Sequence, residues 1–231
     1  MSVLLVTVRD DEEFRKTDVE CFARAGGFAP ERFRLFDATT AIPMAPLLDG
    51  VDASIIGGSR YSVFEPMPHL AELVALVREA KIRHVPTLGV CFGAQLIAHA
   101  FGGEVIRDDV HEEYGTFDMR CAEDAWTDML FADIPDVFPA QCAHHDRIAK
   151  LPPAAMLLAS SARCGVQAFV MPGNDIYGFQ FHPERSKANF VRVIERKAMD
   201  SAGGTALEAV RQSLRETPDA ESLIAKFIDR V

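Results

Sequence analysis

Over the first 103 residues, short apolar runs alternate with helix-like patterns, and this alternation constrains the fold more than any other feature. VLLVTV (3–8) has the length and residue types of a buried strand, and FRLFD (33–37), ASIIGG (53–58) and VPTLGV (85–90) read as three further strands. DDEEFRKTDVECFARAGG (10–27) spaces Phe14, Val19, Phe22 and Ala23 at helical intervals, with acids in the first turn and Gly26-Gly27 at the end. HLAELVALVREA (69–80) sets Leu70, Leu73, Val74 and Val77 on one stripe, and GAQLIAHAFGG (93–103) predicts a third helix. Strands joined by helical crossovers run parallel, with helices on both faces of the sheet.

After residue 103 the pattern changes. GEVIRD, EYGTFDMR, AMLLASS, GVQAFVM and IYGFQFHPE are strand-like with short turns between them, which predicts a mixed or antiparallel extension. Beyond Pro183 the sequence turns helical, through KANFVRVIERKAM, TALEAVRQSLRE and DAESLIAKFIDRV, with turns at SAGG (201–204) and ETPD (216–219). No repeat or linker interrupts the pattern. The expectation is one domain over residues 1–231, of which 185–231 form a helical C-terminal extension.

Composition narrows the functional classes. With 24 basic and 34 acidic side chains the net charge is −10, and no block of Lys or Arg offers a surface to nucleic acid or an anionic membrane. The N-terminus lacks the basic start and long apolar centre of a signal peptide, and no apolar run reaches the length of a membrane span. Five scattered cysteines without a C-x-x-C pair fit neither a disulfide framework nor a zinc knuckle, so a reducing cytoplasm is the expected compartment.

One of those cysteines sits in a special place. GVCFG (89–93) is the G-x-nucleophile-x-G pattern of a strand-to-helix elbow, with Cys91 where hydrolases carry serine. Small residues two positions to either side let strand and helix approach, and the first helical turn aims N–H groups and a positive dipole end at the sulfur, which stabilises a thiolate. The alternative is a small buried apolar residue, as free cysteines usually are. A nucleophile also needs a base, and His182 in YGFQFHPER is the candidate. Pro183 biases His182 towards extended backbone, in which His182 and Glu184 project to the same side as a base and its orienting carboxylate. The alternative is a surface histidine before a helix N-terminal acid. An oxyanion hole requires two N–H donors. Phe92, next after the cysteine, supplies one, and Gly57, Gly58 or Ser59 at the end of the third strand could supply the other.

GVCFGAQ, FHPE and the upstream GGSRYSV together resemble the class I glutamine amidotransferases, in particular the stand-alone group similar to the glutaminase domain of GMP synthase. EYG (113–115) and AHHDRIAKLPPAAMLLASS (143–161) agree with that resemblance, which runs from about residue 50 to 185. It implies a flavodoxin-like α/β fold: a central, mostly parallel sheet with helices on both faces, a small antiparallel extension and C-terminal helices. It further implies Cys91 as nucleophile, His182 as general base, Glu184 as its partner, and Gly58 and Phe92 as oxyanion donors. Gln95, Ser62, Val63 and His144 (with Asp146 beside it) match positions around the substrate pocket.

The implied reaction is cleavage of the γ-amide of glutamine through a cysteine thioester, releasing glutamate and ammonia, with no cofactor and no metal. The alternative is a γ-glutamyl peptidase that needs no synthetase. The sequence shows no ATP-binding synthetase segment, so use of the ammonia calls for a separate synthetase subunit. It departs from the family in reading SRY (59–61), where family members often carry a proline.

Overall fold

The computed structural model describes residues 1–173, 175–200 and 204–231, with 195–200 and 204–207 as backbone only. Strands β1 (Val3–Thr7), β2 (Phe33–Asp37), β3 (Ala53–Ile56) and β4 (Thr87–Val90) occur where the apolar runs predict them. So do the first three helices, α1 (Glu12–Gly26), α2 (Leu70–Ile82) and α3 (Phe92–Ala100). Asp11 caps α1 by accepting the N–H groups of Glu13 and Phe14, and Gly27 closes it in the left-handed region at φ 69°. Between β2 and β3 the alternation fails: Pro43 precedes, and Pro46 lies within, a single 3-10 turn (Ala45–Leu48) where a crossover helix would stand.

The second half supplies β5 (Glu104–Arg107), β6 (Glu113–Cys121), β7 (Val137–His144), β8 (Asp146–Lys150), β9 (Met156–Ser161), β10 (Ala168–Met171) and β11 (Ile176–Phe179). One nine-stranded sheet runs β2-β1-β3-β4-β11-β10-β9-β6-β7, and β5 pairs with β8 alone. The pairings from β2 to β11 are parallel and those from β11 to β7 antiparallel. The antiparallel strands therefore continue the parallel half edge to edge. Strand β7 contains Pro139, a residue that lowers any sequence-based expectation of a strand. It is tolerated because β7 is the sheet's edge and leaves one row of N–H positions unpaired.

Alternate residues of each buried strand feed two cores. Val3, Leu5, Ile55 and Phe179 join one cluster, while Leu4, Val6 and Ile56 join the other with α2 and α3. Helices α4 (Lys187–Asp200), α5 (Gly204–Ser213) and α6 (Pro218–Ile228) complete the chain, and the first three residues of the expected SAGG turn lie outside the described residues. Helix α6 is no appendage. Leu223, Ile224 and Phe227 are buried in the same cluster as Phe22 of α1, and the Phe227 ring lies 6.2 Å from Tyr177 of β11. The tail thus covers a sheet face that α1 alone leaves open. Among the described residues, no helix is long and apolar enough to cross a membrane.

Candidate active site

The parallel strands end at a common edge, and their carboxyl ends carry Arg9 after β1, Gly57-Gly58 after β3, Cys91 after β4 and His182 after β11. Strand β7 points the same way and delivers His144 there. A cavity of about 440 Å³ opens at this edge, with Cys91, His182, Gln95 and His144 in its wall.

Cys91 occupies the N-cap of α3 with φ 53° and ψ −106°, a conformation that costs an L-residue roughly 1–3 kcal/mol. Close packing maintains it. A Cβ on Gly89 would collide with the backbone of Gly93, and a Cβ on Gly93 with the backbone of Ile56. Strand, elbow and helix can approach this closely only with glycine at both positions. The Cys91 N–H donates to Phe179 O at 2.7 Å, which ties the elbow to β11, the strand leading to His182.

His182 and Glu184 meet as expected, but by a different geometry. Strand β11 ends at Phe179, and residues 182–185 form a turn closed by the Arg185 N–H donating to His182 O at 3.2 Å. Extended backbone does not bring the two side chains together; the turn does, placing His182 Nδ1 2.8 Å from Glu184 Oε1. The proline that biases His182 also sits comfortably at the second position of such a turn. A further bond, from the His182 N–H to Gln141 O at 2.8 Å, anchors the histidine to β7.

The electrostatics follow from burial among charges. Burial disfavours the imidazolium of His182, but the Glu184 carboxylate and the Cys91 sulfur outweigh it and raise the pKa to about 10. Burial likewise disfavours ionised Glu184, and the His182 charge more than offsets it, holding the carboxyl at about 2. No sequence pattern marks the layer behind this pair. Arg185, 1% exposed, donates from Nε to Glu184 Oε1 at 3.3 Å and pairs with Asp18 of α1, which also takes the Nε–H of Arg9 at 2.7 Å. Asp18 sits on the apolar face of α1, a position where a buried acid signals a buried cation.

Gly58 and Phe92 flank the sulfur. A Cβ on Gly58 would sit 3.2 Å from His182 Cε1 and 3.6 Å from Cys91 Cβ, so its backbone borders both. Phe92 is the first residue of α3, where an N–H has no acceptor within its own helix, while its ring is buried in the core. Gln95 lies one turn further on and donates to Asp146 O at 3.0 Å and Gln180 Oε1 at 3.1 Å. Ser62 and Val63 stand behind the wall. The Ser62 hydroxyl donates to Asp146, and Val63 packs into the core with α2.

His144 ends β7 and Asp146 opens β8, so the HHD stretch is a strand-to-strand corner. The His144 ring spans Asp146 O at 3.2 Å and Glu113 Oε2 at 3.0 Å. Potential ligating atoms of Glu113, Cys142 and His144 lie within 4.8 Å of one another, but Glu113 is already engaged by Ser161, Gln167 and His144. That pattern is a buried hydrogen-bond cluster supporting the cavity wall. Helix α4 adds Phe190 and Val193 to the cavity, a contribution the sequence pattern did not indicate.

Comparison with known proteins bears on this arrangement. The family described as glutamine amidotransferase class-I matches residues 33–200. The glutamine-hydrolyzing GMP synthase subunit of Methanococcus maripaludis is 37% identical over 119 residues, 52% of this chain and 61% of that protein. The matched stretch thus spans less than two thirds of that relative. Its counterpart from Thermoplasma volcanium is 33% identical over 147 residues, 64% of this chain and 69% of that protein. Among solved structures, a glutamine amidotransferase from Thermotoga maritima superposes with a TM-score of 0.78 at 20% identity, covering 100% of this chain and 98% of its own. One from Methylobacillus flagellatus gives 0.74 at 21%, covering 99% and 94%. At these identities the superpositions establish the fold.

Proposed function

The chain belongs to the glutamine amidotransferase class-I family, and on that footing we propose that it hydrolyses the γ-amide of glutamine through a thioester on Cys91. The observation that carries this reading is the grouping at one sheet edge of a cysteine strained onto a helix N-terminus, a buried imidazole and the carboxylate that charges it.

In the proposed sequence, the Cys91 thiolate attacks the γ-carbonyl carbon. The carbonyl oxygen gathers negative charge facing the N–H groups of Gly58 and Phe92. Collapse breaks the C–N bond as His182 gives its proton to the nitrogen, and ammonia departs. His182 then takes a proton from water, the hydroxide adds to the thioester, and the C–S bond breaks to free glutamate and the thiolate. Glu184 holds the ring by its Nδ1 side throughout, with Arg185 and Asp18 fixing Glu184. Gln95 holds the amino-acid end of the substrate, with His144, Ser62 and Val63 supporting that wall of the cavity. No step calls on a metal or cofactor. A separate synthetase subunit is the proposed consumer of the ammonia, in keeping with relatives that are themselves named as one subunit of a synthase.

The test is ammonia release from glutamine by the wild-type chain and by Cys91→Ala. Activity that survives the substitution overturns the reading.

A further inference from the structure

Gln95 stands in the cavity wall, and its carboxamide is held by groups that take no part in the chemistry above. Its Nε2 donates to Asp146 O at 3.0 Å and to Gln180 Oε1 at 3.1 Å. A main-chain carbonyl only accepts, so the Asp146 contact decides which end of the amide faces inward. The two acceptors together engage both N–H bonds of Nε2. Gln95 Oε1 takes no protein donor among the described residues, and unlike the sealed polar atoms of the core it stays accessible.

Two more glutamines stand behind Gln95. Gln180 follows β11 and Gln167 precedes β10, and the Gln180 N–H donates to Gln167 O at 2.8 Å. They extend the antiparallel register by one pair beyond Ala168 and Phe179, so their side chains share a face of the sheet. Both are fully buried, and neither belongs to the cavity wall.

The orientation of Gln167 is fixed from its far side. Its Nε2 donates to Glu113 Oε2 and, at 3.2 Å, to Ser161 Oγ, whose own proton goes to Glu113 Oε1 at 2.6 Å. Gln167 is left with a buried acceptor, Oε1, and Gln180 with a buried donor, Nε2, neither partnered among the described residues. Opposite in kind and on one face of a strand pair, these atoms favour one orientation of Gln180: Nε2 towards Gln167, Oε1 towards Gln95. The direction set at Glu113 thus agrees with the direction set at Asp146 O.

We infer that Gln180 is a positioning residue: by accepting from Gln95 it commits both N–H bonds of that amide, so that Gln95 meets the substrate with its carbonyl oxygen and selects an α-ammonium group. The inference rests on the glutamine reading proposed above and deepens it. An ammonium donates to that oxygen, whereas a carboxylate brought to the same point meets it oxygen to oxygen. Gln180 itself touches no reacting atom, so its removal acts on recognition rather than on the bond-breaking steps.

The test uses the full chain and two amides that differ only in the α-ammonium: L-glutamine and glutaramic acid, which has hydrogen in its place. The wild type is expected to prefer glutamine roughly 10- to 100-fold in kcat/KM. Gln180→Met keeps the bulk, removes the acceptor and lets one N–H of Gln95 turn into the cavity. The preference is then expected to fall at least about fivefold, through KM, with kcat for glutamine within about threefold of wild type. Gln180→Glu supplies an acceptor again and retains most of the preference. A wild-type ratio near one, a ratio unchanged in Gln180→Met, or an equal fall in Gln180→Glu overturns the inference. A second measurement needs neither variant to fold and no turnover: exchange of the Gln95 side-chain NH2 protons with water, followed by NMR in the wild type. Both are expected to exchange more slowly than those of a free carboxamide, and free exchange of either overturns the inference. If the wild type releases ammonia from neither amide, the hydrolase reading fails instead, and the exchange measurement still decides the orientation of Gln95.

Discussion

The guanidinium of Arg185 and the carboxylate of Asp18, 167 residues apart in the chain, meet as a buried ion pair behind the candidate base. Through this pair α1 braces the turn that sets His182 against Glu184. Asp18→Asn leaves Arg185 buried without its main counter-charge, at an expected cost of about 3–5 kcal/mol. The loss is measurable by urea denaturation. A companion readout separates bracing from bulk stability: in the folded variant, the His182 titration shifts as Arg185 is drawn closer to Glu184. A variant with wild-type denaturation midpoint contradicts the role assigned to the pair.

Replacing the candidate nucleophile separates chemistry from folding. Cys91→Ala abolishes ammonia release, by an expected factor of roughly 10³ or more. The alanine inherits the same positive φ, so the strain stays and the melting temperature changes by only a few degrees. Cys91→Gly relieves that strain and is expected to be the more stable of the two inactive variants, as scanning calorimetry on both would show.

The charge pairing gives stability a direction on the pH axis. His182 has its pKa raised from 6.5 to about 10, so its contribution is full below about 6.5 and is lost as pH rises through about 10. Glu184 has its pKa lowered from 4.5 to about 2, so its contribution is full above about 4.5 and lost as pH falls through about 2. The melting temperature is therefore expected to fall on the alkaline side between those His182 limits. Because Cys91 is one of the groups that raises His182, Cys91→Ala moves the His182 titration to lower pH. Following the His182 Cε1 proton by NMR in both proteins checks this, and identical titrations would contradict it.

The elbow's glycines give a contrast pair. Gly93→Ala drives a Cβ into the carbonyl of Ile56, which belongs to the neighbouring strand and cannot swing aside. An expected loss of about 1–3 kcal/mol or more lowers the melting temperature by several degrees. Gly165 has nothing within 4 Å of a built Cβ and no positive φ. Gly165→Ala is expected to be neutral or to stabilise by about 0.4–1 kcal/mol. Equal melting temperatures for the two variants would contradict the packing account.

The sequence by itself determined what depends on local periodicity and short spacing. Short apolar runs mark β1 to β4, of which the central β1, β3 and β4 bury both faces, and stripes of period 3.6 mark α1 to α3, each of which buries one face. The Gly-x-Cys-x-Gly spacing marks Cys91, since only small residues allow a strand and a helix to meet there. Proximity in the chain likewise marks His182 and Glu184 as a pair. What only the tertiary structure decided involves residues that are distant in sequence and ordinary in isolation. A lone Asp18 on a helix, an Arg185 after a glutamate and an Arg9 after a strand carry no pattern, because their meaning lies in a buried counter-charge contributed by another element. Strand β7 stayed hidden because Pro139 is acceptable only on an edge, and being an edge is a property of the whole sheet. For the same reason α6 looked like an extension, and only the assembled sheet shows it covering a face of the core. Periodicity is written residue by residue; charge compensation and surface coverage are properties of the folded chain.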